Sequence, residues 1–472
     1  MRIIRIIARL NVGGPARHVS WLTAATRRAG HDSVLVAGTV PAGEDDMSYF
    51  AASQGVEPLI IPEMSREISL KDALTVWKLY RLFVRLKPDI VHTHTAKAGT
   101  VGRVAGMLYR WLTPATLKGR PRACRFVHTY HGHVFHSYYG KWKTRFFLLI
   151  ERTLARLATD RIIVISARQF EEIHKDFGVG RAEQFAVIPL GLDTQVFADW
   201  RARRAAARAE FGATDATRGI KIEAAATTSR AQEPTTDVRA GAQEATPETV
   251  LVGIVGRLTE IKNHRLFLDM AARYKATDGA KDAGRRAHFL VIGDGHLRGE
   301  LEAYAREIGL TANDVFFTGM RRDAENFYPA LDVVALTSLN EGTPLTLIEA
   351  MANSRAVLST AVGGVADLLG KEIEGTQRSE GAGSYTICER GVRVASGDAE
   401  GLTEGLARLV ADESLRRGLG ERGQAFVERN YSVARLVADV SKLYAELHAP
   451  EEILKGEKGK WTKGTGERTS AL

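Results

Sequence analysis

Cysteine is almost missing from this chain. Cys124 and Cys388 are the only two in 472 residues, too few for a disulfide framework and without metal-ligand spacing, a usage that suits a reducing cytosol. Long apolar runs are missing too. Stretches such as FFLLI fall far short of the roughly 20 residues a spanning helix needs, and Arg5 and Arg9 interrupt MRIIRIIARL before it could act as a secretory signal. The expected location is therefore the cytoplasm. G-x-G-x-x-G does not occur, and SVLVAGT does not end in the acidic residue that would hold a ribose, which excludes the dinucleotide fingerprint. No D-x-D triplet occurs either, so a carboxylate-held Mg²⁺ or Mn²⁺ on a diphosphate is not signalled, and no metal or other cofactor is expected.

What is present reads as a soluble globular protein, with 44% hydrophobic and 26% charged residues. A chain of 472 residues exceeds one ordinary core, so two domains of roughly 150 to 200 residues are expected. The net charge of +9 favours acidic partners. No nucleic-acid reader motif accompanies it, so phosphate-bearing substrates or an anionic membrane surface are the expected partners and nucleic acid is not.

Short β-branched runs alternate with helical periodicity, the pattern of parallel sheets covered by helices. RIIRIIARL, SVLVAG, DIVHTHT, RFVHTY, RIIVIS and FAVIPL read as strands of a first Rossmann-like domain over 1–195. Residues 196–248 are Ala, Thr, Arg, Glu and Gln with few large apolar side chains, and read as a short helix followed by a flexible insertion. TVLVGIVGRL, HFLVIGDG, DVFFTG, DVVALTS and RAVLSTAVGG make a second such domain over 249–425. A helix over 426–447 carries Leu436, Val437, Val440, Leu443 and Tyr444 on one stripe, and the lysine- and glycine-rich tail 448–472 is expected to be disordered. The fold class is α/β, with two facing Rossmann-like domains.

The most informative stretch is EGTPLTLIEA, Glu341 to Ala350. Thr343 can cap a helix and Pro344 suits its first position. The free N–H groups of that helix start, Gly342 through Leu345, make an anion site, with Glu341 facing the anion and Glu349 placed to accept hydrogen bonds from a diol such as a ribose. Arg257 and Lys262 follow the strand VGIVG, at the carboxyl end where ligands bind in open α/β sheets, and two such cations can neutralise a diphosphate. Two solvated surface charges would be the bland alternative. In LNVGGPARHV, Gly13 and Gly14 let backbone approach a ligand at a second helix start, although such turns also occur without function.

Histidines 92, 94, 128, 131, 133 and 136 fall in VHTHT and VHTYHGHVFH, with His92 and His94 on one strand face. His131, just before a glycine at a strand end, is best placed to reach a substrate hydroxyl. Imidazole is a common metal ligand, but no helical H-x3-H or closing carboxylate motif accompanies these residues, so zinc is the minor reading and no metal ligand is assigned. KWKTRFFLLIERTLARLA, 141–158, interleaves basic and apolar residues. It fits a helix packed on the sheet and, as the second reading, a helix lying on anionic lipid at the inner face of the cytoplasmic membrane.

In order along the chain, the Gly-Gly loop, HTHTAKAG, HTYHGHVF, the VGRL…K loop, VIGDG and the E-x7-E motif from Glu341 to Glu349 resemble the retaining family 4 glycosyltransferases of GT-B architecture. The resemblance covers nearly all of the chain outside 200–248 and the tail. It implies that Glu349 binds the ribose hydroxyls of a nucleoside-diphosphate sugar, that Arg257 and Lys262 hold the diphosphate, and that Glu341 contacts the transferred sugar. It also implies that Gly14 lies by the phosphate and the acceptor, that His131 lies near the reacting sugar, and that the last helix returns to the N-terminal domain. HTHTAKAG and HGHVF look most like members that build bacterial envelope polysaccharides on a polyprenyl-diphosphate lipid, with hexosyl or N-acetylhexosaminyl transfer from a UDP-sugar. The 196–248 insertion and the loop EGTQRSEGAGSY depart from the pattern but avoid the expected site. A nucleotide-sugar-binding protein without turnover, or a GT-B-like epimerase or hydrolase, would use much the same donor residues.

Overall fold

A computed structural model describes every residue except 12, 42–45, 65–69, 133–140, 213–247, 278–284, 374–382 and 449–472, together with the backbone alone at 141–143, 248 and 285. The chain divides into two compact units, Met1–Leu190 joined by the segment from Val433, and Gly191–Ser432.

The first unit is built on strands β1 (Arg2–Ile7), β2 (Asp32–Ala37), β3 (Leu59–Ile60), β4 (Ile90–His94), β5 (Arg125–Thr129), β6 (Arg161–Val164) and β7 (Phe185–Val187), in the order β3-β2-β1-β4-β5-β6-β7. All neighbours pair in parallel, with Ile3 opposite Ile90 and Ile90 opposite Arg125. Strands covered on both faces read as continuous aliphatic runs, which explains RIIRII and RIIV. The chain runs outward from β1 to β3 and then returns to β4, so strand order reverses between β1 and β4. Ligands bind at such a reversal, beyond the carboxyl ends of the strands. The Gly13–Gly14 turn follows β1, and His94 ends β4.

Helix Ala96–Trp111 rests on this sheet through glycine: a Cβ at Gly106 would lie 2.1 Å from the Phe126 ring. Arg103 on the same helix donates to Glu151 Oε1 and Oε2 at 2.7 and 2.6 Å, and the Tyr130 hydroxyl donates to Oε2 at 2.6 Å. That buried pair ties helix Lys141–Ala158 to its neighbour. Leu154 and Ala155 of the latter helix are buried, which is the packed-helix reading, while Phe146, Leu149 and Leu157 are exposed beside Arg145 and Arg156. Among the described residues no helix is long and apolar enough to cross a membrane.

The C-terminal helix Val433–His448 belongs to the first unit. Leu436, Val440, Leu443 and Tyr444 pack with Ile3, Leu22, Ile90, Val127 and Ile163. At roughly 1.5 to 3 kcal/mol for each large apolar side chain buried, this helix is a substantial part of that core.

The second unit repeats the plan with β8 (Glu248–Val255), β9 (Arg285–Ile292), β10 (Val315–Gly319), β11 (Val333–Leu336), β12 (Ala356–Thr360), β13 (Tyr385–Cys388) and β14 (Gly391–Val394), in the order β10-β9-β8-β11-β12-β14-β13. Only β13 runs antiparallel to its neighbour. Here the reversal lies between β8 and β11, and the Arg257 loop and the EGTPL loop follow those two strands.

The 196–248 stretch begins as structure rather than linker. Helix Trp200–Glu210 is held to the second unit by Arg204 and Arg208, which reach the two carboxylate oxygens of Asp332 at 2.5 and 2.8 Å. The Arg355 guanidinium lies 4.1 Å over the Trp200 ring. This is the short helix expected at the start of the stretch, and ion pairs hold it where large apolar side chains are scarce. The rest of that insertion, most of EGTQRSEGAGSY, the tail beyond His448, and His133 and His136 lie outside the described residues.

Candidate active site

In the second unit the loop after β8 and the loop after β11 are bonded together. Leu339 N–H donates to the Ile261 carbonyl at 2.9 Å, and the Thr337 hydroxyl reaches the carbonyls of Lys262 and Asn263 at 3.1 and 2.9 Å. This clamp sets Lys262 against Glu341, Nζ to Oε1 2.5 Å, with the Ser338 hydroxyl donating to the same oxygen at 2.7 Å. Both side chains are mostly buried, so the pair stands with its charges partly withdrawn from water. Arg257 is exposed and has no ion-pair partner among the described residues.

The helix after Glu341 starts one residue later than its sequence predicts. It spans Leu345–Ala352, Pro344 is its N-cap at φ −73° and ψ 113°, and the Thr343 hydroxyl makes no capping bond. Proline carries no side-chain acceptor, and an extended ψ at Pro344 moves Thr343 out of the capping position. The Thr343 hydroxyl is left buried without a hydrogen-bond partner. A buried polar atom of this kind is uncommon in folded proteins. The Gly342 carbonyl accepts from Gly364 N–H at 2.7 Å, and a Cβ at Gly364 would come within 2.5 Å of that oxygen, so this approach requires glycine. Glu349 is buried on the helix, with the Tyr328 hydroxyl donating to Oε2 at 3.0 Å. Asn263 likewise occupies the N-cap of helix His264–Ala276 without a side-chain cap bond, because it sits in the left-handed region at φ 48°.

In the first unit, Gly13 is the N-cap of helix Gly14–Arg28, with Gly14 as its first residue. Beside that start lies a cluster of imidazoles. His94 Nδ1 and His131 Nε2 are 2.9 Å apart, and His18, from the first turn and a half of the helix, has its ring centroid 4.8 Å from that of His131 and 5.6 Å from that of His94. The His92 ring lies 4.1 Å from that of His94, tilted by 36°. Arg5 donates to the Tyr444 hydroxyl at 3.3 Å, that hydroxyl is hydrogen-bonded to His92 Nδ1 at 2.6 Å, and His92 Nε2 to Thr129 Oγ1 at 2.7 Å. His128 Nδ1 meets Thr93 Oγ1 at 2.8 Å.

Burial holds His18, His92, His94 and His128 well below the ordinary imidazole pKa, and pushes His131 down to about 3. The cluster is therefore neutral at pH 7 and works through hydrogen bonds or lone pairs rather than charge. Next to it Thr95 has φ 69° and ψ 155°. A β-branched residue there costs of order 1–3 kcal/mol, and such strain gathers at functional sites.

Residues 12–196 match the description Glycosyltransferase Family 4, and residues 249–412 match Glycosyl transferases group 1. The chain belongs to the group 1, family 4 glycosyltransferases. This glycosyltransferase is 28% identical over 322 residues to UDP-Gal:alpha-D-GlcNAc-diphosphoundecaprenol alpha-1,3-galactosyltransferase of Escherichia coli, covering 68% of this chain and 70% of the relative. It is 24% identical to the capsular polysaccharide biosynthesis glycosyltransferase CapM of Staphylococcus aureus, over 82% of this chain and 84% of CapM. Its fold is that of Anabaena Alr3699/HepE, solved in complex with UDP, at TM-score 0.67 and 17% identity, covering 94% of this chain and 100% of that one. The fold is GT-B, with two parallel-sheet Rossmann-like units.

Within the glycosyltransferase's second unit, Lys262, Glu341, Gly342, Thr343, Pro344, Leu345 and Glu349 share one pair of loops and one short helix. The sequence expectation gave Lys262 to a diphosphate and Glu341 to a sugar, whereas the two side chains are paired with each other. The residue that the sequence reading passed over is His18. It sits in the quoted LNVGGPARHV, four residues after Gly14, and helical spacing was the available signal that it shares the face of the glycine turn.

Proposed function

We propose that this glycosyltransferase is a retaining enzyme. It moves a hexosyl or N-acetylhexosaminyl group from a nucleoside-diphosphate sugar, UDP-linked by preference, to a lipid-linked or growing saccharide in bacterial envelope polysaccharide synthesis. The observation that carries the donor assignment is the cluster beyond β8 and β11. A Lys262 held by Glu341, a buried hydroxyl of Thr343 without a partner and the free N–H groups of a helix start lie on these two bonded loops, and an exposed Arg257 stands on the first of them. Such a set opposes the negative charge that grows on a departing diphosphate, the electrostatic contribution that usually dominates. Glu349 takes the ribose hydroxyls. Glu341, anchored by Lys262 and Ser338, faces the transferred sugar, and a donor phosphate oxygen receives the acceptor proton in a same-face attack. Glu341 as covalent nucleophile is the second route, separable by trapping.

On the first unit, the Gly13–Gly14 loop lies by the phosphate and the acceptor. His131, neutral at pH 7, hydrogen-bonds a sugar hydroxyl rather than supplying a charge. The activity printed for the Escherichia coli relative supports a UDP-hexose donor and a diphospholipid acceptor. Exposed Phe146, Leu149 and Leu157 beside basic side chains support peripheral contact of helix Lys141–Ala158 with anionic lipid.

The test is a panel of UDP-, GDP- and ADP-sugars with and without a polyprenyl-diphosphate-linked acceptor, in EDTA. Acceptor-dependent release from one donor, with retained anomeric configuration and no loss in EDTA, is expected. Release without acceptor would make the protein a hydrolase, and loss in EDTA restored by Mg²⁺ would overturn metal-independent transfer.

A further inference from the structure

We propose that His18, His94 and His131 form a binding site for a divalent transition cation, Zn²⁺ by preference, in the first unit. The ligand atoms these three rings offer all lie within 4.8 Å of one another. They come from three separate elements, the helix after β1, the end of β4 and the loop after β5, so no short sequence motif announces them.

Proximity selects these three among the described histidines: His128 Nε2 and both nitrogens of His264 are also buried without a hydrogen-bond partner, but neither residue belongs to the group. Both nitrogens of His92 are bonded, to Tyr444 and Thr129, and His128 has Nδ1 at Thr93. Both nitrogens of His18, Nε2 of His94 and Nδ1 of His131 are buried without a hydrogen-bond partner. Buried lone pairs and N–H groups left this way are rare in folded proteins. One bond is made inside the trio, His94 Nδ1 to His131 Nε2 at 2.9 Å. Zinc with Zn–N bonds of about 2.0–2.1 Å sets neighbouring ligand nitrogens about 3.3 Å apart in a tetrahedron, so a metal held by His94 Nδ1 and His131 Nε2 replaces that hydrogen bond with a shift of a few tenths of an ångström, and His18 brings in one of its two unpartnered nitrogens by a movement of up to about 1.5 Å.

Three imidazoles with a fourth position open are a known zinc donor set. Nitrogen ligands select Zn²⁺, Cu²⁺ or Ni²⁺ over Mg²⁺ and Ca²⁺, which take oxygen. The trio carries no carboxylate, and the nearby guanidinium of Arg5 is turned to Thr26, Ser33 and Tyr444. The cation's charge is thus uncompensated by the trio, and an exogenous anion or hydroxide completes the site from the half-buried side of His131. This arrangement is distinct from a carboxylate-held metal on the donor diphosphate, and does not depend on the transfer reaction.

The experiment uses the full chain without a histidine tag, stripped by a chelator and titrated with Co²⁺ and Zn²⁺. Uptake of one equivalent is expected, with the visible absorption of low-coordinate Co²⁺, unaffected by excess Mg²⁺. His18→Gln and His94→Gln should each weaken binding at least about tenfold, since even residues that only support a metal ligand cost 10–100-fold, and His174→Gln, outside the trio, should not. No stoichiometric uptake by the unaltered chain, or uptake that survives both substitutions, overturns the proposal. Should a variant fail to fold, the unaltered chain decides: Zn²⁺ must raise its thermal transition and Mg²⁺ must not, and an equal response to both ions overturns it.

Discussion

Mild acid should unfold the first unit well before ordinary carboxylate titration begins. His18, His92, His94, His128 and His131 lie there, and burial keeps each neutral in the folded protein far below the pKa of about 6.5 that it regains when unfolded. Above pH 6.5 neither state is protonated, and the stability is fully present. As pH falls below 6.5 the unfolded chain binds protons that the folded chain does not, so stability drops by up to about 1.4 kcal/mol per histidine for each pH unit. At pH 5.5 each has cost about 1.4 kcal/mol, and the five together about 7, against a whole-domain stability of roughly 5–15 kcal/mol. Carboxylates contribute little in this window because they titrate near pH 4. For a domain of this size 1 kcal/mol moves the melting temperature by about 2–4 °C, so calorimetry in chelator at pH 7.5 and 5.5 should show one transition falling by more than about 10 °C. His128→Gln should remove about a fifth of the pH slope. A transition that moves less than about 3 °C, or a slope unchanged in His128→Gln, would refute the reasoning.

Glu349→Gln should weaken UDP binding by about 10- to 100-fold in titration calorimetry, the value of hydrogen bonds to a charged acceptor, and unchanged affinity would remove the ribose assignment. Lys262→Ala frees Glu341 and removes a cation from the diphosphate, so kcat should fall by about 10²–10³ in a protein still folded at the assay temperature; an equal loss in Arg265→Ala, an exposed neighbour paired with Glu300, would show that the effect is general charge. Arg103→Met leaves the Glu151 carboxylate buried without its partner and should cost about 3–5 kcal/mol by urea unfolding, whereas a cost under about 1 kcal/mol would mean that water reaches the site.

Much of the fold was legible because its central strands are aliphatic runs and its loops carry Gly, Arg, Lys and Glu at strand ends. Two short elements escaped. β3 is two residues long with both exposed, and the hairpin of β13 and β14 has little alternation because β14 is buried on most of its length. Helix Trp200–Glu210 was the instructive case: composition identified it as poor in apolar residues, yet its arginines meet an aspartate 120-odd positions later, a contact that no local pattern encodes. The same holds at the site. E-x7-E was visible as spacing along one loop and helix, while the pairing of Lys262 with Glu341 and the trio of His18, His94 and His131 depend on which strands the sheet brings side by side. The cap of the Leu345 helix was misplaced by one residue, within the usual uncertainty of helix ends.

The position of the last helix has a consequence for biosynthesis. The hydroxyl of Tyr444 meets Arg5 across 439 positions of chain, and the whole second unit is made between the two. At about 5–20 residues per second, the ribosome needs roughly 10–50 s after Leu190 before Val433 exists. Throughout that interval Ile3, Leu22, Ile90 and Val127 lack the surface that finally covers them. The unit that begins the chain is thus the last to be completed, and a ribosome that stops short of residue 433 releases a protein whose second half can be whole while its first half still shows an uncovered aliphatic face to chaperones and proteases.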